Sequence, residues 1–229
     1  MIRDNILALQ RHISSICSEL GRNPQDVILV GVTKYTDQAK ILEAVQNGLK
    51  HIGESRVQDA VPKLEAIKED LLQVKKHFIG HLQTNKVKQA VAHFDIIQSV
   101  DSLKLAREID KQAGNLNKPI EILLQVNIAE EEQKYGLKRD DVRPLIQELL
   151  ELKNARIKGF MTMAPLTDDE NIIRDCFRGL RLLRDEMADQ LKLNIASDLP
   201  YLSMGMSNDY KIALQEGSNM IRIGSAIFG

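Results

Sequence analysis

Four stretches of this 229-residue chain carry side chains that could do chemistry. Lys34 closes the apolar run VILVGVTK, where an ammonium group is costly to bury. A lysine so placed has two readings. It snorkels from the strand end towards water or a carboxylate, or it is a partly desolvated amine that condenses with a carbonyl as a Schiff base. The second stretch is SMGMSNDYKIALQEGSNMIRIGSAIFG, Ser203 to Gly229. Ser203, Gly205, Met206 and Ser207 follow one strand-like run, and Gly224 and Ser225 follow the next. Glycine lets backbone amides approach an anion and serine adds hydroxyl donors, so the pair reads as a phosphate cradle or, more plainly, as two turns. The third is Arg222 in MIRIG, which alternation puts on one strand face with Met220 and Gly224. It points into the mouth beyond that face or outward to a helix carboxylate. The fourth, HFIGHLQTNKVK from His77 to Lys88, has two histidines four residues apart. They flank a strand of period two with no nearby carboxylate, so no metal site is expected. Glu54 and Ser55, then Asn127, end two further runs; Met161 and Met163 read as core or pocket wall.

These groups need elements to position them. Short β-branched runs alternate with longer, charged, helix-periodic ones. Strands are expected at Val27–Tyr35, His51–Glu54, His77–His81, Ile96–Val100, Ile120–Ile128, Ile157–Met163, Tyr201–Met204 and Met220–Ile223. Helices are expected over 2–20 and at Thr36–Asn47, Asp101–Gly114, Asp140–Leu152 and Asp168–Leu191, with Asp101, Asp140 and Asp168 as N-caps. The alternation predicts an α/β fold, a single (β/α)8 barrel over 1–229 with an extra N-terminal helix, the alternative being an open doubly wound sheet. In a barrel, reactive groups belong at the C-terminal ends of strands, where Lys34 and the Gly/Ser turns fall.

Composition narrows the function. With 31 Lys+Arg against 32 Asp+Glu the net charge is -1, which argues against nucleic-acid binding by bulk electrostatics. Two distant cysteines, Cys17 and Cys176, exclude a disulfide scaffold and a cysteine-built zinc site. No apolar run approaches the roughly 18 residues of a membrane span. The opening MIRDNILALQRHI lacks a signal-peptide core, so a cytoplasmic location is expected.

Together the motifs VGVTKY, HIGESRVQ (51–58), HFIGHLQTNK (77–86), GFMTMAP (159–165) and LSMGMSNDYKIALQEGSNMIRIGSAIFG (202–229) resemble the YggS/PROSC family of pyridoxal-phosphate-binding proteins. They span the chain in that family's order. The resemblance implies a barrel like the N-terminal domain of alanine racemase, with pyridoxal 5′-phosphate (PLP) held on Lys34 as an internal aldimine. It implies that Ser207, Gly224 and Ser225 hold the phosphate, that Met206 supplies backbone nearby, that Ser203 is a further contact, and that Arg222 faces the pyridine nitrogen. Two positions depart from the pattern. Ser55 stands where relatives commonly have an asparagine near the cofactor's phenolic oxygen, and Thr36 stands where many have a second lysine.

The resemblance and the residues leave three classes of function. An arginine carries no acceptor, so at the pyridine nitrogen it disfavours a pyridinium and the electron sink that a carboxylate partner would maintain. Alanine racemase draws its second base from a separate domain, for which this chain has no room. A PLP carrier in vitamin B6 and amino-acid homeostasis is therefore expected, monomeric, with apo-PLP enzymes as recipients. An amino-acid racemase of limited rate is the second class. A Schiff-base barrel enzyme acting on a phosphorylated substrate is the third.

Overall fold

Strands covered on both faces are largely apolar, and the runs ILVGV, IIQSV and IEILLQ fit that pattern except at Gln98, Ser99, Glu121 and Gln125. A computed structural model describes residues 1–229. The chain begins with helix α1 (Ile2–Glu19), followed by β1 (Ile28–Val32), α2 (Gln38–Gln46), β2 (His51–Glu54), α3 (Val57–Ala66), β3 (Lys75–Phe78), α4 (Val87–His93) and β4 (Ile96–Val100). It continues with α5 (Leu103–Asn115), β5 (Ile120–Gln125), α6 (Arg139–Leu149), β6 (Ala155–Met161), α7 (Glu170–Leu191), β7 (Tyr201–Ser203), α8 (Tyr210–Gln215), β8 (Met220–Ile223) and the single turn α9 (Ser225–Phe228). The strands pair in sequence order, all parallel, and β8 returns to β1 from Ile28↔Met220 to Gly31↔Ile223. The sheet is a closed barrel, as the alternation predicts, and the open sheet is excluded.

Boundaries differ from expectation where local signals compete. Helix α5 is capped by Ser102, whose side chain accepts from the Leu105 N–H, not by Asp101. Helix α7 is capped by Asp169, one residue after Asp168. Helix α6 has Lys138 at its cap with no side-chain bond, and Asp140 lies within its first turn, where a carboxylate still favours the helix N-terminus. Strand β3 runs from Lys75 to Phe78 rather than from 77 to 81, paired from His51↔Lys75 to Glu54↔Phe78; beyond it Gly80 passes so close to Ser55 that a Cβ would lie 2.0 Å from its carbonyl oxygen. Helix α4 follows Gly80–Asn85, a segment that reads as a strand end turning into a helix, whereas α3 lies where no helix was expected; it carries Pro62 in its interior, which obscures its periodicity.

Two apolar layers result. The outer one joins strands to helices, and α1 enters it through Ile2, Ile6, Leu9, Ile13 and Cys17, a stripe at helical spacing. The inner one is small: Val30, Ile96, Leu123, Met161 and Met220 fill part of the barrel lumen. The rest of the lumen is polar. No helix is long and apolar enough to cross a membrane.

Candidate functional site

A cavity of about 900 Å³ opens at the C-terminal ends of β1, β6, β7 and β8. That is within the range of small-molecule sites. Lys34, Met206, Ser207, Arg222, Gly224 and Ser225 all line it, so the structure brings six of the eight expected residues to one place.

Lys34 sits two residues beyond β1, with its side chain exposed and its Nζ 5.1 Å from the centre of the Tyr35 ring. Of the two readings of this lysine, the side chain that reaches out of the strand end towards water is the one seen, because β1 has already ended. The backbone beneath it is firmly held. Lys63, from α3, donates to the Thr33 carbonyl at 2.6 Å and the Thr36 carbonyl at 3.3 Å, on either side of Lys34. The same ammonium meets Glu54 at 2.5 Å, and Glu54 accepts from the Thr33 hydroxyl at 2.6 Å. Thr36 is turned inward and buried.

The opposite wall is a set of donors. The Ser207, Asn208 and Gly224 N–H groups have no partner within the chain, and the Ser207 and Ser225 hydroxyls join them. Successive free amides with hydroxyls make an anion-binding concavity. The Met206 N–H does not belong to this set, because it donates to Asp209 Oδ1 at 2.5 Å. Met206 contributes wall only. Gly205 makes this turn possible: its φ is +99°, and a Cβ there would lie 2.6 Å from the Ala213 Cβ.

Arg222 projects from β8 into the floor of the cavity and is buried. Its Nη1 donates to Ser203 Oγ at 2.7 Å and its Nη2 to the Thr162 carbonyl at 2.9 Å. Burial pulls its pKa down to about 10, partly offset by the Asp209 carboxylate, so it stays cationic at neutral pH. Asp209 is itself pushed up by burial, against the pull of the Met206 amide and Arg222.

Two expected residues lie elsewhere. Ser203 lines no part of the cavity; it is fully buried beneath Arg222. Ser55 lines a second cleft of about 360 Å³ with Arg56, His81 and Lys86. Sequence reasoning missed Asp209, Thr162 and Lys63. Asp209 had a signal, as an aspartate inside the turn MGMSND is a ready backbone acceptor. Lys63 had none, since the carbonyls it holds lie about 30 residues away in the turn after β1 and its carboxylate partner Glu54 lies in β2.

A strand-end lysine, a donor-lined wall on the last two βα turns and a buried arginine between them define a small-molecule-binding (β/α)8 barrel. The chain belongs to the alanine racemase N-terminal domain family, whose profile matches residues 4–229. It is 41% identical over 217 residues to the pyridoxal phosphate homeostasis protein of Aquifex aeolicus, covering 95% of this chain and 92% of that one. It is 34% identical to the protein of that name from Haemophilus influenzae, covering 100% of this chain and 95% of that one. Among solved structures, PipY of Synechococcus elongatus PCC7942 with PLP bound superposes with a TM-score of 0.87 at 34% identity, each chain covered completely. Alanine racemase of Clostridium difficile 630 shares the fold, with a TM-score of 0.76 at 12% identity; this chain covers 56% of it.

Proposed function

We propose that this chain, as one domain spanning 1–229, binds pyridoxal 5′-phosphate reversibly and serves its homeostasis in the cell. The observation that carries the reading is the pairing, across one cavity, of an exposed primary amine with a wall of free N–H and hydroxyl donors. The donor set fits the group. The Lys34 Nζ matches its aldehyde; Ser207, Ser225 and the Ser207, Asn208 and Gly224 amides match its phosphate; Arg222 matches an unprotonated ring nitrogen as a donor without a proton to gain. PLP supplies an aldehyde and an electron-accepting ring. The residues here bind and orient it. Arg222 would donate to the ring nitrogen and leave it an acceptor, and no carboxylate is hydrogen-bonded to Arg222.

The names of the relatives and the PLP in the PipY structure support this reading. It makes the chain a carrier rather than an efficient catalyst, with apo-PLP enzymes as recipients, a monomeric state and a cytoplasmic location. Cys17 and Cys176, both free and buried, accord with a reducing compartment.

The test is absorption of the purified chain with added PLP, then borohydride reduction and peptide mapping. A new absorption band distinct from that of free PLP, as a lysine-linked PLP chromophore gives, with the reduced adduct on Lys34, is the expected result. Lys34→Ala loses the adduct while keeping native circular dichroism. Ser207→Ala with Ser225→Ala releases PLP faster than either single change. Absence of any adduct on wild type, or robust amino-acid racemisation that disappears in Lys34→Ala, overturns the carrier reading.

A further inference from the structure

A continuous column of hydrogen bonds runs through the polar part of the barrel lumen. From Arg222 Nη1 it runs to Ser203 Oγ at 2.7 Å, from that hydroxyl to Gln98 Oε1 at 2.6 Å, from Gln98 Nε2 to His77 Nδ1 at 2.8 Å, and from His77 Nε2 to His51 Nδ1 at 2.9 Å. Residues from β8, β7, β4, β3 and β2 take part, so the column crosses from the cavity floor to the N-terminal end of the barrel. Ser203, Gln98 and His77 are fully buried. Barrel lumens are ordinarily packed with branched apolar side chains. Burying this many polar groups costs stability unless each is paired, and here each is.

The bonds also have one direction. Arginine only donates, so Ser203 must accept from Arg222 and turn its one proton to Gln98. That orients the Gln98 amide with its nitrogen towards His77, and the second amide hydrogen meets the Met220 sulfur at 3.1 Å. His77 Nδ1 must then be bare and its proton must sit on Nε2, donating to His51. Burial, together with the His51 and Lys75 charges, lowers the His77 pKa well below its usual value, which keeps the ring neutral as this order requires.

We propose that Gln98 and His77 are positioning residues: through Ser203 they lock the Arg222 guanidinium in the orientation that presents it to the ring nitrogen of bound PLP. The proposal rests on the PLP-binding reading. Without Gln98 the Ser203 hydroxyl has no fixed acceptor, its lone pair is no longer held towards Arg222, and the guanidinium keeps the Thr162 carbonyl as its one fixed anchor.

The test uses the full chain. In unliganded wild type, nitrogen-15 correlation spectra of the histidine rings should show His77 with its proton on Nε2. Gln98→Leu should bind PLP about tenfold more weakly, the size of one hydrogen bond to a charged group. It should also shift the absorption maximum of bound PLP. Ser203→Ala, a smaller change that also removes the link, should do the same if Gln98→Leu folds poorly. Leu123→Ala, on the apolar side of the same lumen, should lower stability while leaving the absorption maximum in place. Wild-type affinity and band position in both column variants, or a His77 proton on Nδ1, overturns the proposal. Failure of wild type to bind PLP overturns the functional reading instead, so the two failures are distinct.

Discussion

Glu54 and Lys63 bury an ion pair under the backbone that carries Lys34. Glu54 is 1% exposed and Lys63 13%. Glu54 Oε2 has no partner, so the carboxylate depends on Lys63 and the Thr33 hydroxyl for compensation. Removing one member of such a pair leaves a buried charge, which typically costs more than the pair contributes. Lys63→Met is therefore expected to destabilise the fold by about 3 kcal/mol in urea melts. It should also lower the yield of reduced PLP adduct on Lys34, because the Thr33 and Thr36 carbonyls lose their common donor. Adding Glu54→Leu to Lys63→Met should restore a large part of the stability; strict additivity of the two losses would refute the coupling. Glu54 was visible in the sequence as a strand-end residue, but its dependence on Lys63 was not.

Helix α1 stands outside the β-then-α alternation, yet it braces the site. Its buried stripe packs against α2, α8 and α9, and the Asn5 side chain donates to the Ile227 carbonyl at 2.9 Å. Helix α9 opens at Ser225 and α8 follows the Ser207 turn, so α1 supports the donor wall from behind. Ile6→Ala, at a position 1% exposed, is expected to cost about 3 kcal/mol through the cavity it leaves. It should also speed PLP release. A thermal melt and a dialysis rate taken together check both effects; lost stability with unchanged release would confine α1 to a purely structural role. The stripe Ile2, Ile6, Leu9, Ile13 could be read from spacing alone. The elements it packs on could not, because each faces it from the other end of the chain or across a strand.

The barrel as a whole carries a pH signature set by its lumen. Burial holds His77 well below its usual 6.5, and His51 is lowered for the same reason with Lys75 and Lys50 adding to it. The unfolded chain takes up protons near that usual value that the folded barrel refuses. Stability is thus full above the unfolded pKa and falls as pH drops below it. His77 alone should contribute a slope of up to about 1.4 kcal/mol per pH unit on the acid side. Urea midpoints should fall between neutral pH and about pH 5.5, and His77→Gln should flatten the fall. Asp101 and Asp209, raised by burial, act in the opposite sense, but only near the carboxyl range. A midpoint that is flat across the histidine range would contradict a neutral, buried His77.

Periodicity and strand-end residue types were enough to predict an α/β barrel, to put Lys34 at a strand end and to mark the Gly/Ser turns after the last two strands; whether Lys34 is a reactive amine and whether Arg222 turns inward they left open, and only the family resemblance chose between those readings. These are local signals: a side chain's alternation, a helix stripe or a turn residue is written within a few positions. What tertiary structure decided was which groups meet. It placed Ser203 beneath Arg222 rather than in the cavity, sent Ser55 to a second cleft, paired the Met206 amide with Asp209, and set Lys63 against Glu54. The lumen column joins residues from five strands, up to 171 positions apart between His51 and Arg222. Barrel closure and stagger bring them into line, and no sequence window short of the whole chain contains that information.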